Sequence, residues 1–179
     1  IPMSKHIIEI QGLKKSFQGN PILRGIDLTV DESQLTVLIG PSGCGKSTLL
    51  RCLNGLEVFD EGRIVINGMR LERDTSHLRV SGEFQRATHE LRAIMGMVFQ
   101  AFNLFPHMTV LENVTLAPIH ARKVPKDWAH AEARDLLKQI GLADKADEYP
   151  DRLSGGEQPR VAIARALAMY PRLMLLDEV

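Results

Sequence analysis

Apolar residues fall along the chain in short strand-like runs, with helical spacing concentrated in the middle and towards the end. His6 to Leu13 and Ile22 to Val30 carry β-rich, partly alternating patterns, with Gly19-Asn20-Pro21 as the turn between them. Leu35 to Ile39 is a continuous apolar run bounded by a glycine, the pattern of a strand buried on both faces. The glycine-rich stretch Gly40 to Thr48 opens into a helix from Lys46 whose apolar side carries Leu49, Leu50 and Leu53. Gly55 is placed to end that helix. Gly62 to Ile66 predicts a strand and Asn67-Gly68 a tight turn. Arg70 to Leu91 is polar and charged and predicts a surface excursion ending in a helical turn; no role attaches to the stretch Met69 to Glu90.

Ile94 to Phe99 resumes as a strand. From Ala101 to Arg152 the pattern is one of helices joined by proline-containing loops. Thr109 and Glu112 have capping-box spacing for a helix start, and a second helix runs from about Lys126 to Ile140, closed by Gly141. Val161 to Met169 predicts another helix and Leu173 to Leu176 a final buried strand. Strand, glycine loop, helix and further buried strands make an α/β protein with a mostly parallel sheet and a helical insertion.

Bulk numbers narrow the partners. The chain has 179 residues, 44% hydrophobic, enough for one domain with a sizeable core. Lysine plus arginine equals aspartate plus glutamate at 22 each, which argues against a general binder of nucleic acid or anionic membrane. The two cysteines, Cys44 and Cys52, sit in the glycine loop and on the following helix and read as reduced thiols in a cytosolic protein. No signal-peptide pattern opens the chain, and no apolar run approaches the roughly 20 residues a membrane helix needs.

The chemistry begins at Gly40-Pro41-Ser42-Gly43-Cys44-Gly45-Lys46-Ser47, which fits G-x-x-x-x-G-K-[ST] at every fixed position. Glycines let backbone N–H groups curl around phosphate oxygens where a side chain would block the approach. The start of the helix at Lys46 adds its positive end. Lys46 is placed to meet the β- and γ-phosphates of ATP and the Ser47 hydroxyl to ligate Mg²⁺. Far along the chain, Leu173 to Leu176 leads into Asp177 and Glu178. Beside a P-loop strand, Asp177 reaches the Mg²⁺ shell and Glu178 the attacking water; taken alone, the same run reads as a strand end with solvated acids.

With the phosphate loop, the acidic strand and Leu153-Ser154-Gly155-Gly156-Glu157 together, the sequence resembles an ATP-binding cassette ATPase from about Ser4 to Glu178. The LSGGE stretch discriminates best, because other P-loop families lack it, and Arg160 to Leu167 extends the match beyond a merely well-capped helix. The resemblance implies a P-loop NTPase fold with an N-terminal antiparallel β subdomain and an α-helical subdomain. It divides one domain over residues 1–179 into a core, 1–100 and 158–179, and a helical part, 101–157. Phe17 falls where an aromatic stacks on adenine, against the alternative of a core or strand-face phenylalanine. Gln100 matches the glutamine that contacts Mg²⁺ and the attacking water.

The family pairs two cassettes head to tail. Ser154 and Gly156 of one subunit, in the stretch Ser154, Gly155, Gly156 and Glu157, thereby complete the γ-phosphate site of the other. The nucleotide-binding set implied is Phe17, Gly40, Ser42, Gly43, Cys44, Gly45, Lys46, Ser47, Thr48 and those four residues. Ser47, Gln100 and Asp177 are the implied metal ligands, Glu178 and Gln100 the catalytic pair. Gln100 to Val114 resembles the group that energises bacterial uptake of polar amino acids. That implies a homodimer on the cytoplasmic face of the inner membrane, docked on permease subunits and served indirectly by an extracytoplasmic binding protein. Phe102, Leu104 and Phe105 are docking candidates or ordinary core, and His107 a surface or interface residue rather than a catalyst or metal ligand. A soluble cassette ATPase outside transport and a nucleotide-binding fragment without hydrolysis are the alternatives.

Three departures from the family pattern stand out. Pro159 replaces a residue able to donate a backbone N–H, which is costly if the helix starts at Ser154 and harmless if it starts later. Val179 replaces a proline. Ile1-Pro2 before Met3, and the stop after an apolar strand, lead to the expectation of an incomplete chain ending before the loop that crosses the dimer and the switch histidine.

Overall fold

The computed structural model describes residues 6–74 and 81–178. It has two compact units, Ile1–Ala93 and Ile94–Val179. Residues 75–80 of the polar excursion and the Val179 substitution lie outside the described residues.

The first unit is built on an antiparallel sheet of β1 (His6–Phe17), β2 (Asn20–Asp31), β3 (Glu61–Ile66) and β4 (Met69–Arg73), in the order β2-β1-β3-β4. Alternation along β1 buries Ile8 and Ile10, and Leu13 and the branched residues Ile64 and Ile66 of β3 are fully covered. The β1–β2 turn centres on Gln18 and Gly19, at φ 50° and 82°, one residue earlier than the Gly19-Asn20-Pro21 reading. Pairing Phe17 with Asn20 leaves a two-residue loop, whose twist calls for two left-handed residues, and Pro21 cannot supply one. Asn67 and Gly68, at φ 49° and 80°, make the same kind of turn between β3 and β4. Gly62 has φ 118°, and a Cβ there would lie 2.7 Å from the Gly12 carbonyl and 2.8 Å from that of Gln11. Only glycine lets β3 pass the irregularity in β1.

Helix α1 (Lys46–Leu53) follows the glycine loop and buries Leu49, Cys52 and Leu53. Gly55 is left-handed at φ 67° just beyond it, as expected for the residue after a helix C-cap. The polar stretch with no assigned role forms β4 and helix α2 (Gly82–Ile94). Ser81 Oγ accepts from the Phe84 N–H, and the Phe84 ring meets Phe59 edge-on at 5.6 Å. Arg92 donates to the carbonyls of Asn54 and Gly55, at 2.9 and 2.7 Å, putting a cation on the negative end of α1.

One expectation is overturned. Leu35 to Ile39 forms no strand: residues 34–41 have no regular structure, and Leu35, Val37 and Ile39 are 87%, 67% and 93% exposed. A strand can be buried on both faces only if neighbours pair with it, and the run belongs to neither sheet among the described residues. Composition set the propensity; no partner supplied the burial.

The second unit holds a parallel pair, β5 (Met95–Val98) and β6 (Leu173–Leu176), with helices α3 (Val110–His120), α4 (Lys126–Gln139) and α5 (Glu157–Leu167). Val110, Val114, Leu137, Leu142, Val161 and Ala164 form the helical core, while Ala162 and Ala166 of α5 pack with Val98 of β5. Thr109 caps α3 with both arms of the capping box: it accepts from the Glu112 N–H, and Glu112 accepts from the Thr109 N–H. That contact lowers the Glu112 carboxyl below its ordinary value. Helix α5 starts at Glu157, so Pro159 is its third residue, where the missing N–H has no intrahelical acceptor to lose. The later of the two possible starts is the one adopted.

Asn113 sits inside α3 with no exposure. Its Oδ1 accepts from the Phe105 N–H at 2.8 Å, and its Nδ2 lies 2.9 to 3.1 Å from the carbonyls of Phe105, Met108 and Thr109. Asn113→Ala strands these buried groups and is expected to cost about 3 kcal/mol. It should appear as a lower urea midpoint with unchanged slope.

Candidate nucleotide site

The glycine loop lies wholly in the first unit. Gly43 and Gly45 are left-handed at φ 80° and 103°, and a Cβ on Gly45 would meet Ile22 Cγ2 at 3.0 Å and Leu23 Cδ2 at 3.1 Å. The loop is thus seated against β2, the partner of the strand that ends at Phe17. A Cβ on Gly40 would lie 2.7 Å from Cys44 Sγ. Helix α1 begins with Gly45 as its N-cap, no side chain capping it and no acid in its first turn. Its positive end is therefore not neutralised by its own sequence. Lys46 Nζ donates to the Gly40 and Pro41 carbonyls at 2.9 and 3.0 Å, which holds the ammonium inside the loop. Ser42 is exposed, and Ser47 and Thr48 are half-buried at the helix start. Phe17 is 42% exposed, and the ammonium of Lys15 lies 4.7 Å from its ring centre. Lys15 is anchored by the Val58 carbonyl at 2.8 Å and Glu57 at 2.7 Å.

The two cysteines of this loop and helix differ sharply. Cys44 is exposed and Cys52 buried, and burial pushes the Cys52 thiol up from 9.0 to about 12. A maleimide at pH 7 to 8 is therefore expected to label Cys44 and to reach Cys52 only on unfolding, at least about a hundredfold more slowly. Peptide mass spectrometry checks it. Above pH 9 the unfolded thiol ionises while the folded one keeps its proton to about 12, so this group costs stability as pH rises through that window.

In the second unit, strand register brings the catalytic candidates together. Met95 pairs with Leu173 and Val98 with Leu176, a constant offset of 78 that sets Gln100 opposite Glu178. Gln100 Nε2 donates to Glu178 Oε2 at 2.7 Å. Both lie past the C-terminal ends of parallel strands, where open α/β sheets bind ligands. Asp177 is 3% exposed, and its N–H donates to the Val98 carbonyl at 3.0 Å. No cluster of three or more His, Cys, Asp or Glu suited to a metal occurs among the described residues. Within this unit Asp177 and Gln100 carry oxygen donors of the kind a hard cation such as Mg²⁺ takes, and in the first unit Ser47 carries another.

Ser154, Gly155 and Gly156 are exposed ahead of α5. Glu157 accepts from the Ser154 N–H at 2.7 Å, and bonds from that N–H and the Ser154 hydroxyl hold its carboxyl below the usual range. Open space surrounds Gly155 and Gly156, so a large anion can approach their backbone.

The sequence model described as "ABC transporter" matches residues 23–179. The chain belongs to that family. It is 51% identical over 179 residues to the arginine transport ATP-binding protein ArgV of Corynebacterium glutamicum, covering 98% of this chain and 69% of the relative. To the glutamine transport ATP-binding protein GlnQ of Escherichia coli it is 45% identical over 172 residues, covering 96% and 68%. It thus spans about two thirds of the length of these relatives. Among solved structures it resembles the dimeric post-hydrolysis state of the ATP-binding cassette MJ0796 bound to ADP and Pi, with TM-score 0.80, 32% identity and coverage of 94% and 72%. CbiO1 of Clostridium perfringens, part of the transporter complex cbiONQ, matches with TM-score 0.78 and 28% identity over 97% of this chain and 65% of that one. The α/β fold is that of an ABC ATPase domain.

Sequence reading singled out the loop, the acidic strand end and the LSGGE stretch. It missed Asn113, Arg92 and Arg165. Arg165 Nη1 and Nη2 donate to the carbonyls of Asn103 and Phe102, each at 2.6 Å, and burial lowers its guanidinium below the ordinary value. An asparagine among the apolar residues Val110, Leu111 and Val114 was the one available signal.

Proposed function

We propose that this chain binds MgATP and hydrolyses it as the ATPase subunit of an importer for polar amino acids. The observation that carries the reading is the Gln100–Glu178 contact at 2.7 Å, in a chain that also has an uncapped P-loop helix. Glu178 takes the proton of the attacking water while Gln100 fixes the carboxylate's position. Oxygen attacks the γ-phosphorus, the bond to the bridging oxygen breaks, and ADP and phosphate leave. Lys46 and the loop N–H groups hold the phosphates, and the Phe17 ring takes the adenine. Ser47, Gln100 and Asp177 are the residues to hold Mg²⁺, which when bound supplies charge neutralisation at the β- and γ-oxygens.

Ser154 and Gly156, within the stretch Ser154, Gly155, Gly156 and Glu157, act on the ATP of a second copy, so the unit of function is a homodimer. The division into a core, 1–100 and 158–179, and a helical part, 101–157, belongs to the same reading. The relatives' names support amino-acid transport. No helix of the described residues is long and apolar enough to cross a membrane. In this reading permease subunits therefore hold the dimer at the cytoplasmic face of the inner membrane, and an extracytoplasmic protein delivers substrate to them.

Vesicles carrying the assembled importer test this with labelled arginine, glutamate and glutamine. Uptake that requires internal ATP supports the reading. Uptake no faster with the chain than without it removes the importer and leaves a soluble ATPase.

A further inference from the structure

We infer that Arg165 is a positioning residue for Gln100, holding the loop that carries it in a backbone shape the loop's own residues resist. The effect on catalysis rests on the reading of Gln100 given above; the mechanical role does not.

Two residues after Gln100, Phe102 and Asn103 have φ of 56° and 48°. Two consecutive non-glycine residues in the left-handed region are uncommon, because Cβ crowds the backbone there, and an aromatic side chain tolerates it worse than asparagine. Such a shape persists only where the surroundings over-determine it. Local bonds do part of this: the Phe102 N–H reaches the Phe99 carbonyl at 2.8 Å and the Asn103 N–H reaches that of Ala101 at 2.6 Å. The decisive contact comes from far along the chain. The planar fork of Arg165 gives one N–H to the carbonyl of each of these two left-handed residues, both at 2.6 Å. Its carbon Cζ also lies 5.9 Å from the Phe105 ring centre. Two diverging acceptors at fixed spacing suit a guanidinium and not an ammonium.

Arg165 stands on α5, whose inward face packs Ala162 and Ala166 on Val98 of β5, with Phe102 against the same cluster. The fork is therefore carried on a rigid element. That element begins at the Ser154–Glu157 stretch and ends its reach at the loop of Gln100, and Gln100 in turn holds Glu178.

The test compares Arg165→Ala, Arg165→Lys and Asn103→Val with the unaltered full chain. Amide exchange at Phe102, Asn103 and Phe105 and the steady-state kcat and KM for MgATP are measured on each. Arg165→Ala is expected to speed exchange at these amides about tenfold or more, with α4 unaffected. It should also lower kcat at least about tenfold while KM stays within about twofold. Arg165→Lys, keeping the charge but not the fork, should lose most of the same rate. Asn103→Val, which puts a β-branched residue at a left-handed position, should reproduce the loss with Arg165 intact. Adding Asn103→Gly to Arg165→Ala should recover part of kcat, because glycine adopts the shape without help.

Unchanged exchange at the three amides, or acceleration spread evenly through α3, α4 and α5, overturns the inference. So does full activity in Arg165→Lys together with Asn103→Val, a comparison that survives if the alanine variant does not fold. If the unaltered chain hydrolyses ATP no faster than Lys46→Ala, the ATPase reading fails, and the exchange data alone decide the role of Arg165.

Discussion

A Glu178→Gln chain is expected to hold MgATP and leave it uncleaved. Glutamine has the size of glutamate, and its amide oxygen can accept the Gln100 N–H that Glu178 Oε2 accepts at 2.7 Å. The geometry at the ends of the two strands is therefore preserved. What disappears is a base for the proton of the attacking water, a contribution worth roughly 10² to 10⁴ in rate, or about 3 to 5 kcal/mol of barrier. Nucleotide affinity should stay within about threefold, because the substitution removes an interaction made in the transition state and spares binding. Single-turnover release of labelled phosphate, beside equilibrium binding of the same nucleotide, separates the two quantities. A hydrolysis rate within about threefold of the parent would remove Glu178 as the base.

Lys46→Ala should fail one step earlier, at binding. The ammonium rests on the Gly40 and Pro41 carbonyls, so it braces the loop while standing where phosphate charge arrives. Losing a charge-assisted contact to phosphate costs about 3 kcal/mol, a weakening of roughly a hundredfold or more in Kd. Fold stability should change by less than about 1 kcal/mol, because the Pro41 carbonyl is at the surface and water can replace the lost donor there. Calorimetric titration with MgATP and a thermal melt of the same sample read both effects. Unimpaired binding in this variant would detach the loop from nucleotide recognition.

What could be read in the sequence was what short segments decide for themselves. Asn67-Gly68 made its turn and Thr109 and Glu112 closed their capping box, while Leu173 to Leu176 formed the expected strand but with only Leu175 buried and Leu176 46% exposed. The turn and the box rest on propensities and bonds spanning four residues or fewer, whereas the strand is completed by β5 far along the chain. The failures share the opposite property. Leu35 to Ile39 has the composition of a buried strand, yet burial is conferred by neighbours that composition does not reveal. Arg92 and Arg165 look like ordinary charges on helix patterns until the backbone carbonyls they meet, at Asn54 and Gly55 and at Phe102 and Asn103, are known. Pro159 was readable only as a choice between two helix starts, and the start at Glu157 settled it. In the site, residue types were legible and their mutual geometry was not. Gln100 and Glu178 carry no local sign of each other.

The fixed offset between β5 and β6 also sorts changes of chain length. Gln100 meets Glu178 through strand pairing across 78 positions, so the surface connection at residues 121–125 between α3 and α4 can lengthen without disturbing the meeting. A single residue added inside Met95–Val98 or Leu173–Leu176 has no such freedom. It reverses which side chains face the core beyond the insertion and hands the place opposite Gln100 to a neighbour of Glu178. Tolerance to insertion should therefore switch from high to nil within a few residues of each strand, marking the edges of the proposed catalytic pair on the linear map.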